Sequence, residues 1–166
     1  ADTLDPDILA EELARQREVP HIQKFLATVP QLGIWDDHDY GPNNSDRSYW
    51  MKDFSLEVFK TFWANPNYGP GGGISGTFFW NDAQFFLLDN RWFRTPNNLI
   101  TESRELLGEQ QLQWLIDALS DSEAPFKFVV IGGQVLNPVV TDWSENYAKY
   151  EREQQKMFDA ILENDI

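Results

Sequence analysis

"QLGIWDDHDYGPNNSD", residues 31–46, is the stretch that decides the fold. It begins as a short apolar run and turns abruptly into a polar loop. Asp36, Asp37, Asp39 and Asp46 fall within eleven positions, with His38 among them and Asn43 and Asn44 close behind. A buried strand at 31–35 that empties into an acidic loop predicts an open α/β sheet, where ligands sit beyond the carboxyl ends of strands.

The flanking sequence extends that pattern. "DPDILAEELARQR", 5–17, opens on Asp and Pro and continues with helix formers, which predicts a helix. A second short helix is expected over 20–28, stopped by Pro30. Residues 46–66 carry apolar side chains at 50, 51, 54, 58, 59, 62 and 63, the spacing of an amphipathic helix that Asn65-Pro66 ends. Asp46 can cap it. "TFFW" and "QFFLLD", either side of "NDA", predict an antiparallel hairpin. Residues 106–122 repeat the helical spacing at 112, 115, 116 and 119, and "FKFVVIGGQVL", 126–136, predicts a strand ending in Gly-Gly. A last helix is expected over 144–164. The order of elements is α/β with at least four strands in one domain. Three of those strands end in polar loops: "DDHD", "DNRWFR" and "GGQVLNP".

Composition narrows the function. A chain of 166 residues buries roughly 70% of its unfolded surface, and 12 Phe, 7 Trp and 5 Tyr make an aromatic core. The net charge of -14 opposes affinity for nucleic acid or an anionic membrane. The chain has no Cys, which excludes disulfides, thiolate nucleophiles and Cys-based zinc sites. No apolar run reaches the 18 residues of a membrane span. The first residues, "ADTLDPDILAEEL", lack the charged and apolar regions of a signal peptide.

Carboxylates packed as in 36–39 repel unless a metal ion, an arginine or a shared proton intervenes. A divalent cation is the most economical answer. Asp36, Asp37 and Asp39 offer carboxylate oxygens, and Asn43 and Asn44 offer amide oxygens to a hard cation. His38 can ligate a metal or protonate a leaving group. An EF-hand is excluded: with Asp36 as position 1, positions 3, 5 and 12 are His38, Tyr40 and Arg47. Oxygen-rich ligation favours Ca, Mg, Mn or Fe over zinc. His21, after Pro20, reads as a surface or packing residue. Arg47, Arg91 and Arg94 can bind an anionic substrate or pair with the Asp cluster. Asp89 is placed to orient Arg91. Gly132 and Gly133 let backbone approach a ligand, and Gln134 can contact a metal or its water. Equally, Asp, Asn, Gly and Pro are ordinary turn residues, so the loop can be a turn and nothing more.

Taken together, "IWDDHDYGPNNSDRS", "FKTFWANPNYG", "FFLLDNRWFRTP", "LGEQQLQWLIDAL" and "FKFVVIGGQVLN" resemble consecutive, colinear blocks of the PhoD-like alkaline phosphatases, within the calcineurin-like metallophosphoesterases. The resemblance runs over about residues 20–140. It implies a β-sandwich flanked by helices, with a metal centre at the strand ends. On that match Asp37 takes the place of the superfamily's metal-bridging Asn, and His38 that of the histidine beside the scissile phosphate. Asp39 would orient the other ring nitrogen of His38. Gln134 falls where many relatives carry a metal-binding His. The resemblance also implies that these residues are the central part of a longer catalytic domain, exported to the periplasm or the extracellular space.

The expected function is therefore a metal-dependent phosphoric ester hydrolase acting on a small phosphate ester. His38 and Asp39 are the candidate catalytic residues, Arg47, Arg91 and Arg94 the candidate substrate contacts, and Asp36, Asp37, Asn44 and Gln134 the candidate metal ligands. The competing expectation is a non-catalytic calcium-dependent carbohydrate-binding domain, with exposed Trp as the platform. An Asp-based glycosidase is weaker, since no well-separated carboxylate pair stands out.

Overall fold

A computed structural model describes residues 2–164 and 166. The elements run α1 (Pro6–Glu18), α2 (Pro20–Leu26), a single turn α3 (Asp37–Tyr40), α4 (Lys52–Phe62), β1 (Gly76–Trp80), β2 (Ala83–Leu87), α5 (Glu109–Asp121), β3 (Phe126–Val130), a 3-10 turn at Tyr147–Tyr150 and α6 (Glu151–Glu163). Local chemistry accounts for several boundaries. The Asp5 side chain accepts from the Asp7 N–H, and Pro6 occupies the first helical position of α1. β1 and β2 pair antiparallel with Trp80 opposite Ala83, so two residues close the hairpin. Asn81 takes the left-handed conformation that such a turn requires (φ 52°). β2 then pairs parallel with β3, the crossover being α5.

The α/β class holds, with corrections in detail. The sheet has three strands in the order β1-β2-β3, not four or more. The expected strand at 31–35 does not form, and at its centre the Asn65 side chain holds the Gly33 backbone. Asn65 Oδ1 accepts the Gly33 N–H at 3.0 Å, and Asn65 Nδ2 donates to the Gly33 carbonyl at 2.8 Å. An amide thus supplies both bonds that a neighbouring strand would have made. β3 stops at Val130 rather than 136, where Gly132 passes so close to Trp35 that a Cβ would lie 2.7 Å from the Trp35 carbonyl oxygen. Nor does Asp46 cap α4. Its Oδ1 accepts from the N–H and the hydroxyl of Ser48, closing a tight turn well before Lys52.

Two clusters form the interior. One packs Phe86 and Leu88 against Leu112, Leu115 and Leu119 of α5 and Met157 of α6. The other gathers Trp35, Tyr40, Tyr49, Phe59 and Ile74 beneath the acidic loop. Trp35 is its centre, edge-on to Tyr40 at 5.0 Å and to Phe59 at 5.4 Å. The opposite sheet face carries a stack of Phe78, Phe85 and Phe128, with centroids 4.8 and 4.9 Å apart. Of the expected sandwich, the described residues contain this one sheet, and the Phe128 end of its stack is exposed. Among the described residues no helix is long and apolar enough to cross a membrane.

Candidate functional site

The acidic loop is fastened to the end of β2 by Asp89, which is fully buried. Its carboxylate accepts from four donors: the Trp35 indole (2.7 Å) and the backbone N–H groups of Ile74, Arg91 and Trp92 (each 2.9 Å). Burial pushes the Asp89 carboxyl up, and these donors pull the other way. Gln111 of α5 fixes the same residue from behind, accepting its N–H and donating to its carbonyl, both at 2.8 Å. Asp89 was expected to orient Arg91; it does so through the Arg91 backbone N–H, while the guanidinium points elsewhere.

That guanidinium meets Asp36. Arg91 Nε donates to Asp36 Oδ1 at 2.7 Å, Arg91 Nη2 pairs with the same oxygen, and Asn90 Nδ2 adds a third donor at 2.9 Å. The Asp36 charge is thus answered from within the protein. Arg94 grips the far end of the loop, donating to the carbonyls of Asn44 (3.0 Å) and Ser45 (3.4 Å), while its Nε donates to the Tyr150 hydroxyl. The two arginines are 2% and 0% exposed, so both are buried in the loop's foundation. Of the two alternatives open to them, the structure shows pairing with the Asp cluster for Arg91 and backbone support for Arg94. Arg47 is different. It pairs with Glu105 at 3.2 Å and keeps over a third of its side chain in solvent.

Asp37 and His38 occupy the lip. The Asp37 side chain is 13% exposed and that of His38 is 53% exposed, with His38 Nε2 3.7 Å from Asp37 Oδ2. Asp37 Oδ2 also accepts the Asn44 N–H at 2.9 Å, and Oδ1 stands 3.8 Å from Arg91 Nη2. Burial alone would raise the Asp37 carboxyl. The Asn44 N–H, Arg91 and His38 outweigh it and hold the group below its ordinary value. Asp39 Oδ2 accepts the Asp36 N–H at 3.4 Å across the single turn. Asn44 reaches Asp37 through its backbone N–H, in the left-handed conformation (φ 62°). Asn43 does the same toward Asp2 Oδ1. The Gln134 side-chain oxygen is taken by Asn137 Nδ2 at 2.6 Å.

Gln134 nevertheless lines a cavity of about 580 Å³ beside Asp36 and Arg91, with Gly133, Thr141, Trp143 and Glu145 on its walls. Glu145 escaped the sequence reading altogether. It sits in what reads as the start of the last helix, yet its carboxylate joins Arg91 and Arg94. Asn90 was also missed; its Oδ1 is buried and makes no hydrogen bond. No signal in the sequence separates either from a surface polar residue.

The donor set fits a metal ion only in part. Among the described residues no group of three or more His, Asp or Glu side chains is arranged to hold one. The reason is visible: arginines hold Asp36 and Glu145, and backbone N–H groups sit on Asp37 (2.9 Å) and Asp39 (3.4 Å), with His38 3.7 Å from Asp37.

The whole chain superposes on 38% of a solved structure titled "Structure of PhoD", with a TM-score of 0.75 and 19% sequence identity. The chain therefore spans well under half the length of that protein, and at this identity the likeness speaks for the fold. No curated protein sequence matches the chain. The sequence model described as "PhoD-like phosphatase" matches residues 10–165, nearly the whole of it. With the acidic loop, the arginine foundation and the sheet all inside that span, the chain belongs to the PhoD-like phosphatase family.

Proposed function

We propose that this chain carries part of the site of a phosphoric ester hydrolase, with Asp37 and His38 as the residues that face the reaction. The carrying observation is the geometry of the lip. A half-exposed imidazole stands 3.7 Å from a carboxylate held in its ionised form, on a loop whose backbone two buried arginines immobilise. A neutral or cationic imidazole so placed protonates or hydrogen-bonds the leaving oxygen of a phosphate ester. Asp37, ionised throughout the neutral range, lies beside the charge a cationic His38 carries before it gives up its proton, or offers its oxygens to a cation. Of the three candidate arginines, Arg47 is the one with side-chain surface left in solvent, and we assign it the contact with a phosphate oxygen. The metal ions that oxygen-rich ligation favours, Ca, Mg, Mn or Fe, would take Asp37 and His38 as ligands together with further donors such as water.

The test is hydrolysis of p-nitrophenyl phosphate and of bis-p-nitrophenyl phosphate, with and without chelator, across those four metals. The expected result is turnover that the chelator abolishes and that His38→Ala lowers by about 10²- to 10⁴-fold. Calcium-dependent glycan binding with no turnover under any metal would instead favour a binding domain, with Trp143 at the cavity as its platform.

A further inference from the structure

We propose that Glu145 is a positioning residue for the acidic loop, acting through Arg91 and Arg94. Its carboxylate bridges the two guanidiniums. Oε2 accepts from Arg91 Nη2 at 2.7 Å, and Oε1 pairs with Arg94 Nη2 and lies 3.5 Å from Arg91 Nη1. Both arginines are almost wholly buried, and a buried cation left unanswered costs several kcal/mol. Arg91 has Asp36 as a second carboxylate partner. Arg94 has none: its remaining partners, Tyr150, Asn97 and the carbonyls of Asn44 and Ser45, are all neutral. Among the described residues Glu145 is the one carboxylate paired with Arg94.

From Glu145 the connection runs to the lip in short steps. Arg94 holds the Asn44 carbonyl, and the Asn44 N–H holds Asp37 Oδ2. Arg91 holds Asp36, one residue before Asp37. The loop is therefore gripped at both ends by cations that Glu145 itself keeps side by side. Without it, two like charges would share one buried space with Asp36, itself 39% exposed, and with Asp37, whose Oδ1 is 3.8 Å from Arg91 Nη2 and reaches only that arginine. Glu145 is in turn fixed by its own neighbours. Asn146 Nδ2 donates to the carbonyls of Asn137 and Val139, and the Tyr147 N–H donates to the Gln134 carbonyl. The wall of the cavity and the lip of the loop are thus joined through one carboxylate.

The consequence for turnover rests on the phosphoesterase reading; the consequence for loop order does not. The experiment is amide hydrogen exchange on the full chain, comparing wild type, Glu145→Gln and Glu145→Asp, with ester hydrolysis measured alongside. In Glu145→Gln the Asn44 amide is expected to exchange at least tenfold faster, while Leu88 and Leu112, bonded within the sheet and α5, stay within twofold. Glu145→Asp, which keeps the charge, should return Asn44 to within threefold of wild type. Where turnover is seen, Glu145→Gln should lower kcat at least tenfold with KM within threefold. Unchanged exchange at Asn44, or equal acceleration at all three amides, would overturn the positioning role. Wild-type protein that hydrolyses no ester bears on the phosphoesterase reading alone, and the exchange result still decides this one.

Discussion

The indole Nε1 of Trp35 donates to Asp89 Oδ1 at 2.7 Å, joining residues 54 positions apart at the root of the acidic loop. Both are fully buried. The bond matters because, among the described residues, Asp89 has hydrogen-bond donors and no ion pair. Each donor therefore holds a share of a buried carboxylate. Trp35→Phe keeps most of the packing against Tyr40 and Phe59 and removes one donor. It should cost about 1–3 kcal/mol, the penalty for leaving a buried acceptor short. Urea unfolding checks it. A loss below about 0.5 kcal/mol would mean that the three backbone donors suffice.

Arg91 answers Asp36 and Glu145 together, so its removal takes the cation from Asp36 and leaves Glu145 with Arg94 alone. Arg91→Ala should destabilise by about 3–5 kcal/mol, at the lower end because both partners reach solvent. Arg91→Lys should recover little, since a point charge cannot hold Asp36 through Nε and Nη2 while reaching Glu145. The paired variant Arg91→Met with Asp36→Asn is expected to lose less than Arg91→Ala alone. Thermal melts of the set decide whether the partners couple.

Two buried carboxylates set the pH dependence. Glu153 accepts the N–H groups of Leu106, Leu107 and Gly108 and the Tyr147 hydroxyl, yet burial still raises it. Asp89 is raised for the same reason. A carboxyl raised in the folded state binds its proton more tightly there than in the unfolded chain. Each group then makes stability fall as pH climbs from the ordinary carboxylate range to the raised value, by at most about 1.4 kcal/mol per pH unit. Asp37, held low, acts in the opposite sense: its contribution is present above the ordinary Asp value and is lost as pH falls through the folded one. Glu153→Gln should flatten the downward slope. Urea midpoints across pH 3–8 for both proteins measure it, and parallel curves would remove Glu153 as the cause.

Much of this was legible in the sequence. Helical spacing located α4 and α5, and the "NDA" turn located the hairpin, because those signals are local. The WDDHD block carried the family. What stayed hidden was long-range. Residues 31–35 have strand composition, but Gly33 bonds to the side chain of Asn65, 32 positions away, rather than to a neighbouring strand. Arg91 and Arg94 read as contacts for an anionic substrate or for the Asp cluster, with Asp89 the nearby carboxylate expected to orient Arg91. Their counter-ion, Glu145, lies more than 50 residues away in a stretch with the composition of an ordinary helix start.

Asp37 and Asp39 are chemically alike and two residues apart, and the structure gives them different work. Each accepts a backbone N–H, Asp37 from Asn44 at 2.9 Å and Asp39 from Asp36 at 3.4 Å, but Asp37 also stands 3.7 Å from His38 Nε2, a second metal-ligating group. A cation added to this protein should therefore depend on the first far more than on the second. Asp37→Asn is expected to weaken Mn²⁺ or Ca²⁺ binding at least tenfold by titration calorimetry. Asp39→Asn should leave the affinity within threefold and lower stability by about 1 kcal/mol, the cost of a weakened helical cap. Equal losses from both variants would mean that the loop binds through its overall charge, and the assignment of Asp37 as the cation-facing carboxylate would fall.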